Sequence, residues 1–570
     1  MRPGPAAPEV VRYRVVIDSV PAVRDWRGEI AISPDGSTIV RSGGPGGTLL
    51  VRRRDEMGFI SLAGTEDAAS PFFSPDGSRI GFTASNKHLT VPLAGGPSTV
   101  LVDSLPIYEA AQWARDGFLY RNVAGAGGWV IGRSEARPGA VVEQLTVLDT
   151  ARGEITHALP ELLPDGKTLL FHVSDRSGNR RIAVTEVGSR THTVLVDGVR
   201  ARYAPNGQLV YTTADGKLWA AAFDVRGRVL SGDARLVAER IPGTVLGPVD
   251  FAIAGDGTLA YSVEDAGARR ELTWVDRAGR RASVDSTWKG QFSTPTLSPD
   301  GSRILVAMSN GQQTHLWIKP TSGGSATRLT HEHQSNVEPA WSPDGRWVSY
   351  LAGQGISNTG DLWRQPSDGS GRAERLLPMP RPGSEQGWIP VSNALLIRTT
   401  TSSDGAGDIL LMAAGDSVAR PLLASKYNEY SPSASPDGRW IAFASNESGR
   451  SEVSVVPASG STASRWPVSS GGGATPRWSP RGDEIFYLDP RSNLVAARVV
   501  TEPNFAVLTS RVLFSAADFV LTSISRRNFD VAPDGQRFLM VQRADGAKSG
   551  IVVVAEHAFD PRVRAPRPAP

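Results

Sequence analysis

The sequence predicts an all-β protein, two tandem six-bladed β-propellers made of four-stranded antiparallel blades, and three observations predict it. The phrase Ser-Pro-Asp-Gly recurs at residues 33–36, 74–77, 298–301, 342–345 and 435–438, each copy followed by a short apolar run. The copies and their looser relatives start roughly 40 to 53 residues apart, the period of a propeller blade rather than of a helical solenoid. Almost no stretch reads as a long amphipathic helix, and 60 Gly with 41 Pro suit a chain dominated by tight turns.

The turn comes first in each repeat. Pro presets φ at its first central position, Asp tolerates the second and bonds nearby amides, and Gly accepts the left-handed conformation that follows. Such a turn joins two antiparallel strands. Looser copies stand at Ala114-Arg115-Asp116-Gly117, Leu163-Pro164-Asp165-Gly166, Ala204-Pro205-Asn206-Gly207, Gly255-Asp256-Gly257, Ser479-Pro480-Arg481-Gly482 and Ala532-Pro533-Asp534-Gly535, and a degraded twelfth lies near Trp388 to Arg398.

Strands flank each turn. Pro339-Ala340-Trp341 precedes one and Trp347-Val348-Ser349-Tyr350 follows it, with aromatic and branched side chains at period two. His315 to Lys319, Asp361 to Arg364 and Glu452 to Val456 read as third strands, and Ala326 to Thr330 reads as a fourth after the Gly-rich turn at 322–324. Four antiparallel strands make a propeller blade.

Twelve blades exceed one ring, since propellers usually close with four to eight. The expected division is a Pro-rich tail over 1–10, a first ring over 11–268, a second over 269–560 and an Arg/Pro-rich tail over 561–570. The break falls at 264–272, where apolar periodicity stops, or near 286 if Glu271 to Asp276 and Arg281 to Asp285 finish the first ring. An open ring leaves unpaired edges, so each needs a closing strand from its opposite end. Tyr13 to Ile17 and Ile551 to Glu556 are the candidates.

Composition narrows the function. A formal charge of +3 over 570 residues is near neutral, although the sequence pI is about 9.1. The basic runs at 52–54 and 561–570 are short and lack interleaved aromatics, so no nucleic-acid partner is expected. The absence of cysteine excludes disulfides, thiolate metal sites and a thiol nucleophile. No apolar run suits a signal peptide or a membrane span, so the chain as written reads as soluble.

The search for chemistry is short. Gly-x-Ser-x-Gly is absent, and so are a Gly-rich phosphate loop, His-Arg-Asp and Asp-Phe-Gly. No catalytic residue and no cofactor is expected. His331-Glu332-His333 is the one close His pair and offers weak metal ligands, since neighbouring positions on a strand point to opposite sides. The Asp of each turn has a structural task. Trp113, Trp341 and Trp478 share one slot in the repeat, a register that predicts packing between blades.

The residues just ahead of each first strand should surround the mouth of a central channel. They are Tyr108 and Glu109, Asp250, Gln291, Asn336 and Glu338, Glu429 and Tyr430, and Asn528. Such mixed acidic, amide and aromatic groups suit a peptide or protein loop.

The repeats resemble TolB-like, WD-repeat-like propellers. Pro71-Phe72-Phe73-Ser74-Pro75-Asp76-Gly77, Leu162 to Gly166, Leu272 to Arg277, Ser445 to Arg450 and Ala532 to Phe538 are similar to phrases in the C-terminal sensor region of bacterial transmembrane serine/threonine protein kinases of acidobacterial type. The kinase domain and membrane segment of that family do not occur here. The resemblance implies a non-catalytic, extracytoplasmic or periplasmic module that binds a protein or peptide ligand, with a kinase or membrane-anchored domain as a further partner. The alternative is a TolB-like propeller enzyme, a polysaccharide lyase or hydrolase active at a channel mouth.

Overall fold

Ser-Pro-Asp-Gly folds into the turn its composition predicts. In the computed structural model, which describes residues 9–562 except 17–29, 44–47, 67, 85–86, 104, 106–110, 240, 242, 245–246, 249, 264–269, 311–312, 354–359, 380–382, 400–406, 449, 460–463, 522–526 and 545–550, Ser33 Oγ donates to Asp35 Oδ1 at 2.5 Å. Asp35 Oδ1 also accepts Ser37 N–H at 3.0 Å, and Gly36 N–H donates to the Ser33 carbonyl at 2.9 Å. The same three bonds recur at Ser74, Ser298, Ser342 and Ser435. The five glycines lie at φ between 69° and 77°, where a Cβ is strained. The serine hydroxyls, with the amides beyond, hold the carboxyls of Asp76, Asp300 and Asp344 down to about 2.

The fold is all-β, and the described residues contain one 3-10 turn, Thr150–Arg152, as their helical element. The chain divides into a unit of residues 1–20, 26–265 and 548–570 and a unit of residues 21–25 and 266–547. Six four-stranded antiparallel groups form the first, the third and fourth joined by the single parallel pair Trp129↔Thr156, with inner strands Ile30–Ile32, Ala69–Phe73, Gln112–Trp113, Glu154–Leu162, Ala201–Tyr203 and Phe251–Ile253. Six more form the second, the first and second joined by the single parallel pair Thr314↔Ser335, with inner strands Gln291–Leu297, Ser335–Trp341, Gly383–Ile389, Glu429–Ala434, Ala474–Trp478 and Phe529–Val531. Within each unit every sheet contacts the next through its first or second strand, and the sixth returns to the first. The degraded repeat near residue 390 is a full sheet, its strands Gly383–Ile389 and Ala394–Thr399 joined by a turn with Val391 and Asn393 at positive φ.

Closure differs from the expected boundaries. Ile551–Glu556, assigned above to the second ring, lies between Leu259–Val263 and Val11–Val16 in the sixth sheet of the first unit. The two candidate closing strands therefore pair with each other. Arg270–Asp276 and Arg281–Ser283 begin the second unit, where Arg270–Asp276 pairs with Arg537–Arg543. The physical reason is that a strand at the end of a chain carries no local signal for its partner, and either ring offered it an open edge. The second unit is thus an insertion between the second and third strands of the first unit's last sheet.

The core lies between consecutive sheets. Val40, Leu49 and Val51 of one interlock with Phe73, Ile80, Phe82 and Val91 of the next. Trp113, Trp341 and Trp478 pack onto the preceding sheet, beside Leu101, Leu316 and Val455 respectively. Each such side chain contributes about 1.5–3 kcal/mol when fully buried.

Six inner strands share a β-bulge. Ser70, Leu159, Thr294, Glu338, Ser431 and Thr475 all have φ between 48° and 53°. Each precedes a proline that stands four residues ahead of the turn proline, as Pro339 does to Pro343. At each, three residues on the inner strand span two on its partner, as from Val337↔Leu351 to Ala340↔Ser349. The missing proline N–H suits the residue that the bulge leaves unpaired.

Just beyond the bulge, a side chain from one sheet caps the backbone of the next. Leu162 N–H donates to Gln112 Oε1 at 2.6 Å, Tyr203 N–H to Glu161 Oε1 at 3.0 Å, Leu297 N–H to Asp530 Oδ2 at 2.8 Å and Trp478 N–H to Ser433 Oγ at 3.4 Å. All four acceptors occupy one repeat position, two before the residue that opens the turn. Glu161 additionally accepts from Arg202 Nη1 at 3.2 Å. Glu161→Ala should cost about 1–3 kcal/mol by leaving these donors without their acceptor. Urea unfolding of Glu161→Ala and Glu161→Gln checks this, with Gln expected to recover part of the stability that Ala loses because its amide oxygen still accepts.

Candidate functional site

The bulges and caps bring charged groups of the second unit together. Arg477 is buried in the inner strand of the fifth sheet. Burial pushes its guanidinium down to about 9, and Arg527 adds to that, while Asp530, Glu385 and Glu338 oppose it. These acids come from the sixth, third and second sheets. Groups from four sheets reach one guanidinium only on the inner side of the ring.

Specific bonds hold this layer. Glu385 accepts Ser431 N–H at 2.8 Å through Oε2 and the Ser431 hydroxyl at 3.1 Å through Oε1. Arg398 lies 3.9 Å from Glu385 and donates to the Glu429 carbonyl and to Ser384 Oγ, both at 3.0 Å. Its guanidinium sits 5.7 Å from the Tyr430 ring centre. Asp530 accepts from Thr296 Oγ1 at 3.0 Å, and Arg527 donates to the same hydroxyl at 2.6 Å. Burial raises the Glu385 carboxyl.

The residues proposed from sequence fall in or near this layer, but as buried groups. Asn336, Glu338, Glu429, Tyr430 and Asn528 are each 5% exposed or less, and Gln291 is half-buried at the start of its strand. Asn336 Nδ2 donates to the carbonyls of Thr314 and Glu332, each at 3.0 Å, and so ties down the connection that carries His331 and His333. Glu429 accepts the Ser425 hydroxyl at 2.6 Å, yet burial pushes its carboxyl up to about 7. In the first unit, Asp250 is buried within electrostatic reach of Arg200. Tyr108 and Glu109 lie outside the described residues.

What stays accessible is the chain leading into these strands. His331, Glu332 and Gln334 are exposed ahead of Ser335–Trp341, and Ser425 and Lys426 ahead of Glu429–Ala434. Lys426 Nζ stands 5.2 Å from the Tyr427 ring centre. His333 has φ at 61°, and its ring lies 4.5 Å from that of Trp363. Among the described residues the group with metal-ligand geometry is a different one, Glu154, His157 and His192. Sequence reasoning also missed Glu385, Arg398, Arg477, Arg527 and Asp530. Arg477 and Asp530 could have been found, because both occupy the capping position of the repeat.

Comparison with known proteins agrees with the fold. The family model of the TolB beta propeller domain matches residues 386–559. An uncharacterized peptidase of Bacillus subtilis (strain 168), YuxL, is 23% identical over 192 residues, covering 27% of this chain and 29% of its own. The Tol-Pal system protein TolB of Francisella tularensis subsp. mediasiatica is 22% identical over 200 residues, covering 35% and 45% respectively. The crystal structure of TolB from Acinetobacter baumannii matches with a TM-score of 0.33 and 15% identity, over 60% of this chain and 80% of that one. The chain thus spans less than half the length of the two curated relatives. Residues 386–559 are therefore similar to the TolB beta propeller domain, and the curated relatives share that likeness over part of their length.

The Glu429 carboxyl makes the second unit sensitive to pH. Its folded value, about 7, lies above the ordinary 4.5, so the folded state binds more protons between those limits. Stability associated with this group is present at low pH and lost as pH rises through about 7. Glu429→Gln removes the ionisation, so its melting temperature should exceed that of the wild type at pH 8 and differ less at pH 5. Calorimetry at the two values checks this, with roughly 2–4 °C expected per kcal/mol.

Proposed function

We propose that the two units are six-bladed propellers and that the protein is a non-catalytic binding module, taking a protein or peptide ligand over the channel mouth of the second unit. One observation carries this reading. The connections into the inner strands present Glu332, Lys426 and Tyr427 around a buried layer of paired charges, so variable contacts sit on a rigid base. Glu338, Glu385, Arg477 and Asp530 belong to that base, and Asn336, Glu338, Glu429 and Tyr430 act by holding the connections rather than by touching the ligand. The TolB likeness supports a protein partner and an extracytoplasmic setting. No described helix is long and apolar enough to cross a membrane.

Panning a phage-displayed random-peptide library on the purified protein tests the site. Selected peptides should bind the Glu332→Ala, Lys426→Ala double variant about tenfold more weakly, a change of about 1.4 kcal/mol, with the melting temperature unchanged. Equal binding by the variant overturns the site. Turnover of a polysaccharide or peptide substrate overturns the non-catalytic reading.

The finer form of the proposal is a sensor that passes ligand occupancy to a kinase or another membrane-anchored domain, supported by the resemblance of the repeat phrases. An immunoblot of fractionated source cells should then show a band in the membrane fraction much heavier than 60.7 kDa. A band near 60.7 kDa outside that fraction would identify a free-standing module.

A further inference from the structure

Glu154, His157 and His192 form a buried cluster in the first unit, distinct from the charged layer of the second unit. Glu154 and His157 are three apart on the inner strand Glu154–Leu162, a spacing that places side chains on opposite faces of a regular strand. A bulge between Glu154 and Thr156 adds one residue and returns both to the same side. His192 arrives from the segment just ahead of Thr193–Asp197. Glu154 Oε2 lies 3.0 Å from His157 Nε2, and its Oε1 lies 3.0 Å from His192 Nε2.

Three features suit a metal ion. The donor atoms all lie within 4.8 Å of one another, and a tetrahedral ion with bonds of 2.0–2.1 Å needs its ligands about 3.3 Å apart. His157 Nδ1 is 2.9 Å from Thr146 Oγ1, which in turn accepts Ile131 N–H at 2.9 Å, so the ring is oriented from behind as metal-binding imidazoles are. The Glu154 side chain is fully buried, and among the described residues its ion-pair partners are the two imidazoles, with no Lys or Arg. A buried carboxylate without a cation is costly, and a divalent ion supplies the charge. Asp149 N–H, 2.8 Å from Oε2, fixes the carboxylate further. The His192 side chain, 8% exposed, marks the side open to solvent.

We propose that Glu154, His157 and His192 bind one zinc-class divalent transition-metal ion through a carboxylate oxygen and two Nε2 atoms, with water completing the shell. Nitrogen donors favour zinc, cobalt or nickel over magnesium and calcium. The ion fastens the segment ahead of the fourth strand to the inner strand of the same sheet.

The test uses untagged full-length protein stripped with EDTA and titrated with Co²⁺, followed by visible absorption. One equivalent of Co²⁺ should bind with the spectrum of a four- or five-coordinate ion, and Zn²⁺ should displace it. Zn²⁺ should also raise the melting temperature, saturating at one equivalent. His192→Ala should abolish the spectrum, and Thr146→Val should weaken binding about 10–100-fold. A wild-type protein that takes up no stoichiometric Co²⁺ overturns the proposal, whatever the variants do. Undiminished binding in His192→Ala, with loss instead in His331→Ala, His333→Ala, overturns the assignment of the ligands.

Discussion

Ring closure is the constraint on which the rest of the structure depends. A sheet that contacts neighbours on both sides buries its two faces only if the series returns to its start, and an unclosed series exposes an apolar face at each end. The first unit closes with Ile551–Glu556 held between Val11–Val16 and Leu259–Val263, and the second with Arg270–Asp276 held against Arg537–Arg543. In both, strands far apart in sequence complete one sheet. The inter-sheet caps and the clusters between sheets gain their value from that closure, because each links a sheet to the next and to nothing else.

The repeat unit was readable because its determinants are local. Ser, Asp and Gly of each turn satisfy one another within six residues, and period-two strands need only their own alternation. The proline four residues ahead of the turn was equally visible and marks the bulge that turns Glu338 and Ser431 inward. Two things were hidden. The partner of Ile551–Glu556 depends on which ring remains open, and the Glu154, His157 and His192 cluster depends on a bulge that no single residue announces. The close His pair at 331 and 333 drew attention by adjacency, whereas the backbone there is bent, with His333 at positive φ and its ring packed against Trp363.

The candidate mouth residues illustrate a related limit. Position ahead of an inner strand was read from the repeat, but Asn336, Glu429 and Tyr430 belong to the opening residues of those strands themselves. Whether such a residue faces solvent or the layer beneath it depends on side-chain length and on a neighbour such as Arg398, which draws the Glu429 carbonyl and the Tyr430 ring inward. The buried layer then has a consequence for evolution of binding. Its charges satisfy one another across sheets, so connections above it can change sequence while the base keeps its geometry.

The insertion of one unit within the last sheet of the other also sets an order of manufacture. The ribosome releases every strand of the second unit before it releases Ile551–Glu556, the strand that the first unit lacks. At about 5–20 residues per second, Val11–Val16 waits on the order of half a minute to two minutes for its partner. The second unit waits as well, because its own closing strand, Arg537–Arg543, leaves the ribosome only just ahead of Ile551. Nascent chains of this protein therefore carry two uncovered edges at once, Val11–Val16 and Arg270–Asp276, which a chaperone or another copy on the same messenger can reach until the last stretch of chain is released.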